Sequence, residues 1–210
     1  MTTLMRCSAV LAVMAGAVGC GRLPATHYYM IDVHPPVRRS DPTPGAPPLP
    51  AGGQSIGVQS FHVDPPYDQD RIVYRTDDAT PEVAFYTYHR WAVSLSRMLP
   101  GAVAAGLEGV SGVARIEPVA PGRTYDAILE GRLRRLEEID RPGEQTVRVS
   151  LSLSLHLADG TPVWTDELED AMTVSTDTVG DLVSAMTATL ATELAGARPG
   201  LAAALADLEP

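Results

Sequence analysis

Several residues in this chain of 210 have types and spacings that could do chemistry. Gly53-Gln54-Ser55-Ile56-Gly57 matches G-x-S-x-G, the strand-to-helix elbow that presents a nucleophilic serine. That elbow needs a strand before the serine and a helix after it. Here a proline-rich stretch precedes Ser55 and alternating apolar residues follow, so a hydrolase built on Ser55 is the least favoured reading. His62 and Asp64 would share one face of a strand, and His89 stands before Arg90-Trp91, yet no histidine meets a cysteine or carboxylate at a metal-ligand spacing on a helix. His27 and His34 flank a short strand, and His156 falls on the wet face of a long one. The pairs Glu137-Glu138 and Asp77-Asp78 read as solvated strand ends or turns. With no phosphate-cradling glycine loop and no dinucleotide fingerprint, the sequence predicts no catalytic residue, no metal, no cofactor and no enzyme.

The remaining reactive group is a cysteine. Arg6 forms a minimal basic region, Cys7 to Val18 form an apolar run of 12 residues, and small residues lead to Cys20. That is the anatomy of a signal peptide, and it falls short of the about 20 apolar residues a bilayer-spanning helix needs. Ala17-Val18-Gly19-Cys20 resembles the lipobox of bacterial lipoproteins, in which small residues admit the peptidase and the cysteine sulfur carries a diacylglycerol. The usual leucine is replaced by Ala17. Gly21 stands where an aspartate would signal retention at the inner membrane, so the resemblance implies sorting to the outer membrane, facing the periplasm. Two or more acyl chains hold stably where one binds marginally, each buried CH₂ contributing about 0.8 kcal/mol.

Composition agrees. The chain is 45% hydrophobic and 20% charged, enough apolar surface for one folded domain. Cys7 and Cys20 are its only cysteines, so after cleavage no internal disulfide can form. Formal charge is −10, and removal of residues 1–19 takes away Arg6 to leave −11. Such a surface repels phosphate and anionic lipid, and no arginine cluster exceeds Arg38-Arg39 or Arg132/Arg134/Arg135, so nucleic acid is excluded as a partner. Any membrane attachment must come from something other than charge.

The elements that would position these residues are legible in part. Residues 1–19 read as signal peptide, 20–26 as lipid anchor and tether, 27–198 as a single α+β domain with a proline-rich loop over 35–53, and 199–210 as a tail. His27 to Val33 is aromatic and β-branched and reads as a strand. Period-two patterns from Gln54 and over Arg71 to Arg75 predict two strands that pair with each other. Phe85, Tyr88, Trp91, Ala92, Leu95, Met98 and Leu99 trace an amphipathic helix that Pro100-Gly101 should kink or end. Val113 to Ile116 reads as a short strand. The strongest signal is Val147, Val149, Leu151, Leu153, Leu155 and Leu157 alternating with polar residues. Tyr125 to Ile139 would precede this strand and Pro162 to Val174 follow it after an Asp159-Gly160 turn, an antiparallel meander. Val179, Leu182, Val183, Met186, Leu190 and Leu194 trace a second helix, capped by Asp177 or Thr178 and stopped by Pro199-Gly200. The expected fold is α+β, an antiparallel sheet with two main amphipathic helices on one face.

Taken in order, the lipobox, Tyr28-Tyr29, Pro66-Tyr67, Arg71-Ile72-Val73-Tyr74-Arg75, His89-Arg90-Trp91 and Leu190-Ala191-Thr192-Glu193-Leu194-Ala195 resemble the ABC-type transport auxiliary lipoprotein family, which includes paraquat-inducible protein C. The likeness runs from about Cys20 to Ala195. Family members tend to follow the tyrosine with leucine, aspartate, arginine and then proline. This chain has Tyr67-Asp68-Gln69-Asp70-Arg71-Ile72 instead. The resemblance implies a non-enzymatic outer-membrane lipoprotein partnered with an ABC transporter and a periplasmic MCE-domain protein that moves lipids or other hydrophobic molecules. Tyr67, Arg71, Arg75, Arg90 and Trp91 are candidate contact residues, because aromatic and arginine side chains supply much of the energy at protein interfaces. The competing reading puts Trp91 in the core and pairs Arg71 or Arg75 with Asp68, Asp70 or Asp77. A lipid carrier with a large apolar cavity, or a purely structural lipoprotein, is the alternative function.

Overall fold

The computed structural model describes residues 23–34, 53–77, 79–176 and 178–208. The expected signal peptide, Cys20 and all but the last residue of the proline-rich loop lie outside the described residues. In chain order the elements are β1 (His27–Tyr29), β2 (Gln54–Val58), β3 (His62–Val63), β4 (Arg71–Arg75), β5 (Ala84–Trp91), α1 (Leu95–Leu107), β6 (Val113–Pro118), β7 (Ala127–Arg141), β8 (Glu144–Leu157), β9 (Pro162–Val174) and α2 (Val179–Ala206).

The alternating residues of β8 put Val147, Val149, Leu151, Leu153 and Leu155 on a fully covered face. On one side β8 pairs antiparallel with β7 from Ala127↔Leu157 to Arg141↔Glu144, and on the other with β9 from Gln145↔Val174 to His156↔Pro162. This is the expected meander. The far edge of β7 is different. Three short strands tile it, all parallel to it: β2 at Ile56↔Ala127, β3 at His62↔Arg132 and β4 at Val73↔Glu137. Then β6 joins β2 in parallel, β5 joins β4 antiparallel, and β1 joins β5 in parallel. The sheet is therefore mixed, not antiparallel throughout, and β2 and β4 are not partners. They lie end to end along β7 like one strand interrupted twice. Parallel pairing demands a long crossover, and the β5, α1 and β6 segment supplies it.

Two helix expectations change. Ala84–Trp91 is a strand, and the helix starts only at Leu95. Phe85, Tyr86, Thr87, Tyr88 and Trp91 are aromatic or β-branched, the types that sit well on a pleated surface, and β4 offers them a ladder. Three-residue spacing alone could not decide between the two forms. Pro100 does not end α1, which runs to Leu107. A proline leaves the carbonyl four residues back without its helical donor. Here that carbonyl belongs to Ser96, and the Phe61 N–H donates to it at 3.1 Å. Pro199-Gly200 does not stop α2 either. Leu194, Ala197, Leu201 and Leu205 continue one buried stripe at spacings of three and four, so packing carries the helix through to Ala206 and absorbs most of the expected tail. Thr178 caps its start, its hydroxyl oxygen accepting the Asp181 N–H at 3.2 Å and donating to the Asp181 carboxylate at 2.7 Å.

Helix α1 packs on β2, β3 and β6, and α2 on β8 and β9, so both cover one face of the sheet. They approach closely where Gly106 meets Leu194; a Cβ on Gly106 would stand 2.5 Å from the Leu194 Cδ1. Among the described residues strand β9 pairs only with β8. Along it the N–H groups of Glu167 and Ala171 donate to the carboxylates of Asp166 and Asp170, at 2.9 and 2.8 Å. Charged side chains bonded to backbone donors blunt an edge that could otherwise template another strand. No helix among the described residues is long and apolar enough to cross a membrane.

Candidate functional site

The five candidate contact residues come together around one loop, Asp64 to Asp70, between β3 and β4. Tyr67, 4% exposed, donates its hydroxyl to Glu137 Oε2 at 2.6 Å, and Arg75 donates Nε to the same oxygen at 2.8 Å. Arg71 reaches Gln69 Oε1 with Nε and Nη2, at 3.2 and 3.1 Å, and lays its guanidinium over the Phe85 ring 4.5 Å from the centroid. Arg90 stands opposite Arg71 in the β4/β5 ladder and pairs with Asp70 at 2.6 Å. Trp91 is buried, 3% exposed, and its N–H donates to the Asp70 carbonyl at 2.6 Å. The loop is thus fastened at its centre by Tyr67 and at its Asp70 end by Arg90 and the Trp91 backbone. The rings of Tyr67 and Trp91 are packed inside this chain, and Arg71, Arg75 and Arg90 remain partly open to solvent.

The sequence reading missed the anchor of this arrangement. Glu137 and Glu138 are not solvated strand ends; they are 1% and 2% exposed. Strand β7 carries a register shift between Leu133 and Arg135, so Glu138 lies opposite Val147 on the helix-covered face and Glu137 opposite Arg148 on the other. A clue was available. In a regular strand, residues of one face are separated by even numbers, and Leu133 and Leu136 are separated by three. A buried carboxylate must be bonded. Glu137 has the phenol and guanidinium already described. Glu138 accepts the Tyr86 hydroxyl at 2.6 Å, and burial pushes its carboxyl above the usual carboxylate range. Burial foremost, then the bonded carboxylates, raise the Tyr67 and Tyr86 phenols well above their ordinary value, so both stay protonated as donors. Side chains locked in this way hold the loop in place.

The other chemical candidates resolve as structural pairs. Ser55 lies within β2, with no helix after it, and its hydroxyl and N–H both donate to Asp126 Oδ2, at 2.6 and 2.8 Å. The serine's bonds hold the Asp126 carboxyl below its ordinary range, and no histidine takes part. The nucleophile-elbow geometry is absent. Asp64 receives a two-pronged bond from Arg132 at 2.8 and 3.0 Å, which lowers its carboxyl, and His62 approaches it at 3.2 Å. His27 and His89 stack with centroids 5.3 Å apart, and the Tyr29 hydroxyl meets His89 Nδ1 at 2.8 Å. Among the described residues no group of three or more histidine, cysteine or carboxylate side chains is placed to hold a metal.

Two clefts open on the surface. One, about 430 Å³, is lined by Val58, Gln59, Ser60, Arg97, Pro100, Pro118 and Val119. The other is framed by Arg135, Arg148, Glu169, Asp170 and Ala171. The interior between sheet and helices is a continuous apolar cluster running from Ile31 to Leu205.

Comparison with known proteins fits this architecture. The chain is similar in fold to a Xanthomonas campestris protein of the DUF330 family, with a TM-score of 0.64 and 17% identity, covering 88% of this chain and 97% of that one. It is also similar to a further uncharacterized protein of known structure, with a TM-score of 0.60 and 16% identity, covering 85% and 99% of the two chains. At these identities the likeness speaks for the fold alone. No curated protein matches the chain. The family model described as the ABC-type transport auxiliary lipoprotein component matches residues 39–195, from the proline-rich loop to the middle of α2, and the chain belongs to that family.

Proposed function

We propose that this protein is a non-catalytic docking subunit of an ABC-type transport system for lipids or other hydrophobic molecules, held by acyl chains on Cys20 to the periplasmic face of the outer membrane and contacting an MCE-domain protein. Family membership over residues 39–195 is the observation that carries the reading. The apolar side chains packed together between sheet and helices favour docking over a carrier role, because a carrier needs an apolar cavity for its cargo and the two clefts described are open and lined in good part by polar side chains. The bonding of Ser55 to Asp126 speaks against a hydrolase.

Within the loop assembly, contact with the partner falls to Arg71 and Arg90, while Tyr67, Arg75 and Trp91 hold the loop from beneath. Lipidated protein immobilised in detergent should recover an MCE-domain protein from membrane extracts. Arg71→Ala with Arg90→Ala should reduce recovery without lowering thermal stability by more than a few degrees. Failure to recover an MCE-domain protein in several detergents overturns the partner assignment. Labelled palmitate should enter the native protein and not Cys20→Ala; equal label in both overturns the anchor.

A further inference from the structure

The large apolar side chains most open to solvent are not scattered. Leu23, Tyr28 and Met30 are 81%, 65% and 58% exposed, and Val93 is also exposed. Among the described residues only Val119 adds another large exposed hydrophobic elsewhere. Tyr28 lies in β1 and Met30 directly after it, Leu23 comes four residues before β1, and Val93 comes two residues after β5, the strand with which β1 pairs. Strand β1 is the last strand beyond β5, with Tyr28 opposite Arg90 and Tyr29 opposite Trp91. The Ala92 N–H donates to the Tyr29 carbonyl at 2.8 Å, which carries the pairing one step further and brings Val93 to the same border as Met30. Alternation divides the segment. Tyr29, Ile31 and Val33 turn inward, and the Ile31 N–H meets Met98 Sδ at 3.1 Å, so the backbone is fixed to α1; Tyr28 and Met30 are left facing out.

Position in the chain says what covers them. Leu23 is three residues after Cys20, and an extended chain spans at most about 3.6 Å per residue, so an acylated Cys20 keeps Leu23 within about 11 Å of the lipid surface and Tyr28 within about 29 Å. Building on the Cys20 anchor proposed above, we infer that Leu23, Tyr28, Met30 and Val93 form a contact surface for the bilayer interface, so that the protein stands with its β1 border on the lipid instead of hanging from a free tether. The chemistry fits a shallow seat. Tyrosine places an apolar ring and a wet hydroxyl at such an interface. Asp32 and His34, both exposed, follow at once and limit how deeply the border can enter. With residues 1–19 removed the net charge is −11, which gives no attraction to anionic lipid, so the seat is apolar and insensitive to salt.

The test uses the lipidated protein on phosphatidylcholine vesicles. Cys20 is blocked as a thioether there, so Met30→Cys supplies a single thiol for an environment-sensitive fluorophore, and Glu130→Cys, on the exposed face of β7, supplies the control. Doxyl-labelled lipid should quench the label at position 30 several-fold more than at position 130, equally at low and high salt. Vesicle flotation of the same samples reports the anchor. Protein that fails to float overturns the anchor and this inference together. Protein that floats with equal quenching at both positions overturns this inference alone. Shielding of position 30 only when a protein partner is added, without lipid quenching, assigns the border to protein and likewise overturns it.

Discussion

In the first half of β7, Ala127, Leu129 and Leu133 enter the core while Glu130 and Arg132 face water; in the second, Leu136, Glu137, Glu138 and Ile139 are all buried. Both halves pair with β8 on one side. What differs is the cover on the second face. Beside the first half only the short β2 and β3 run alongside, and alternation is enough to sort the side chains. Beside the second, β4 pairs along the edge while Tyr67 of the Asp64 to Asp70 loop reaches Glu137 and Tyr86 of β5 reaches Glu138, so polar groups there survive only with partners brought from distant sequence. Burial on two faces converts carboxylates from surface residues into fasteners.

Breaking the fastener should have the largest effect. Arg75→Ala leaves Glu137 buried with the Tyr67 hydroxyl as its remaining described donor, and removing one partner of a buried pair costs about 3 to 5 kcal/mol. Urea unfolding should show this as a lower midpoint; a loss below 1 kcal/mol would mean the second half is not held as described. In the first half the corresponding cut is apolar. Leu133→Ala should cost about 2 to 4 kcal/mol by the same measurement, since its side chain is fully buried. A smaller effect is expected at Gly131, where the Phe61 ring lies flat against the strand and an added Cβ would stand 2.1 Å from Cζ. Gly131→Ala should cost about 1 to 3 kcal/mol, and Phe61→Leu in the same chain should recover part of it.

Glu138→Gln sharpens the contrast through pH. Burial raises the native carboxyl, so the folded state binds this proton more tightly than the unfolded chain does. Stability from Glu138 is therefore present below the unfolded value, about 4.3, and declines as pH rises through the folded one. Asp64 and Asp126, both lowered, contribute the reverse: stability present above their unfolded values and lost as pH falls. The glutamine variant should gain on the native protein between acid and neutral pH, seen as a widening difference in urea midpoint. A constant difference across that range would show that Glu138 does not titrate differently in the two states.

The meander from β7 to β9 was legible because each strand has one wet face, and period two then records burial directly; Pro162 to Val174 is found at its expected bounds. The mixed order of the sheet was not, because nothing local distinguishes a strand that will pair with its neighbour from one that will pair 70 residues on. Prolines misled twice for one reason: a local stop signal yields when a distant group takes its place, as the Phe61 N–H does at Ser96 and the Leu201/Leu205 stripe does beyond Pro199. Of the candidate site, Tyr67, Arg71, Arg75, Arg90 and Trp91 were identifiable by type, but Glu137, which anchors Tyr67 and Arg75, was hidden by a one-residue register shift whose trace is the odd spacing of Leu133 and Leu136.

The tiling of β7 by three parallel strands bears on how the chain acquires its form. Ser55 waits for Asp126, 71 residues later, and Arg75 waits for Glu137, 62 later. A ribosome delivers the amino end first, so half of the sheet must linger without its scaffold until the long strand arrives, and closure of such wide loops is slow. During that interval Ile56, Val58, Ile72 and Val73 are bare hydrophobic strand edges. A truncation before residue 127 should therefore yield insoluble material, not a smaller folded unit.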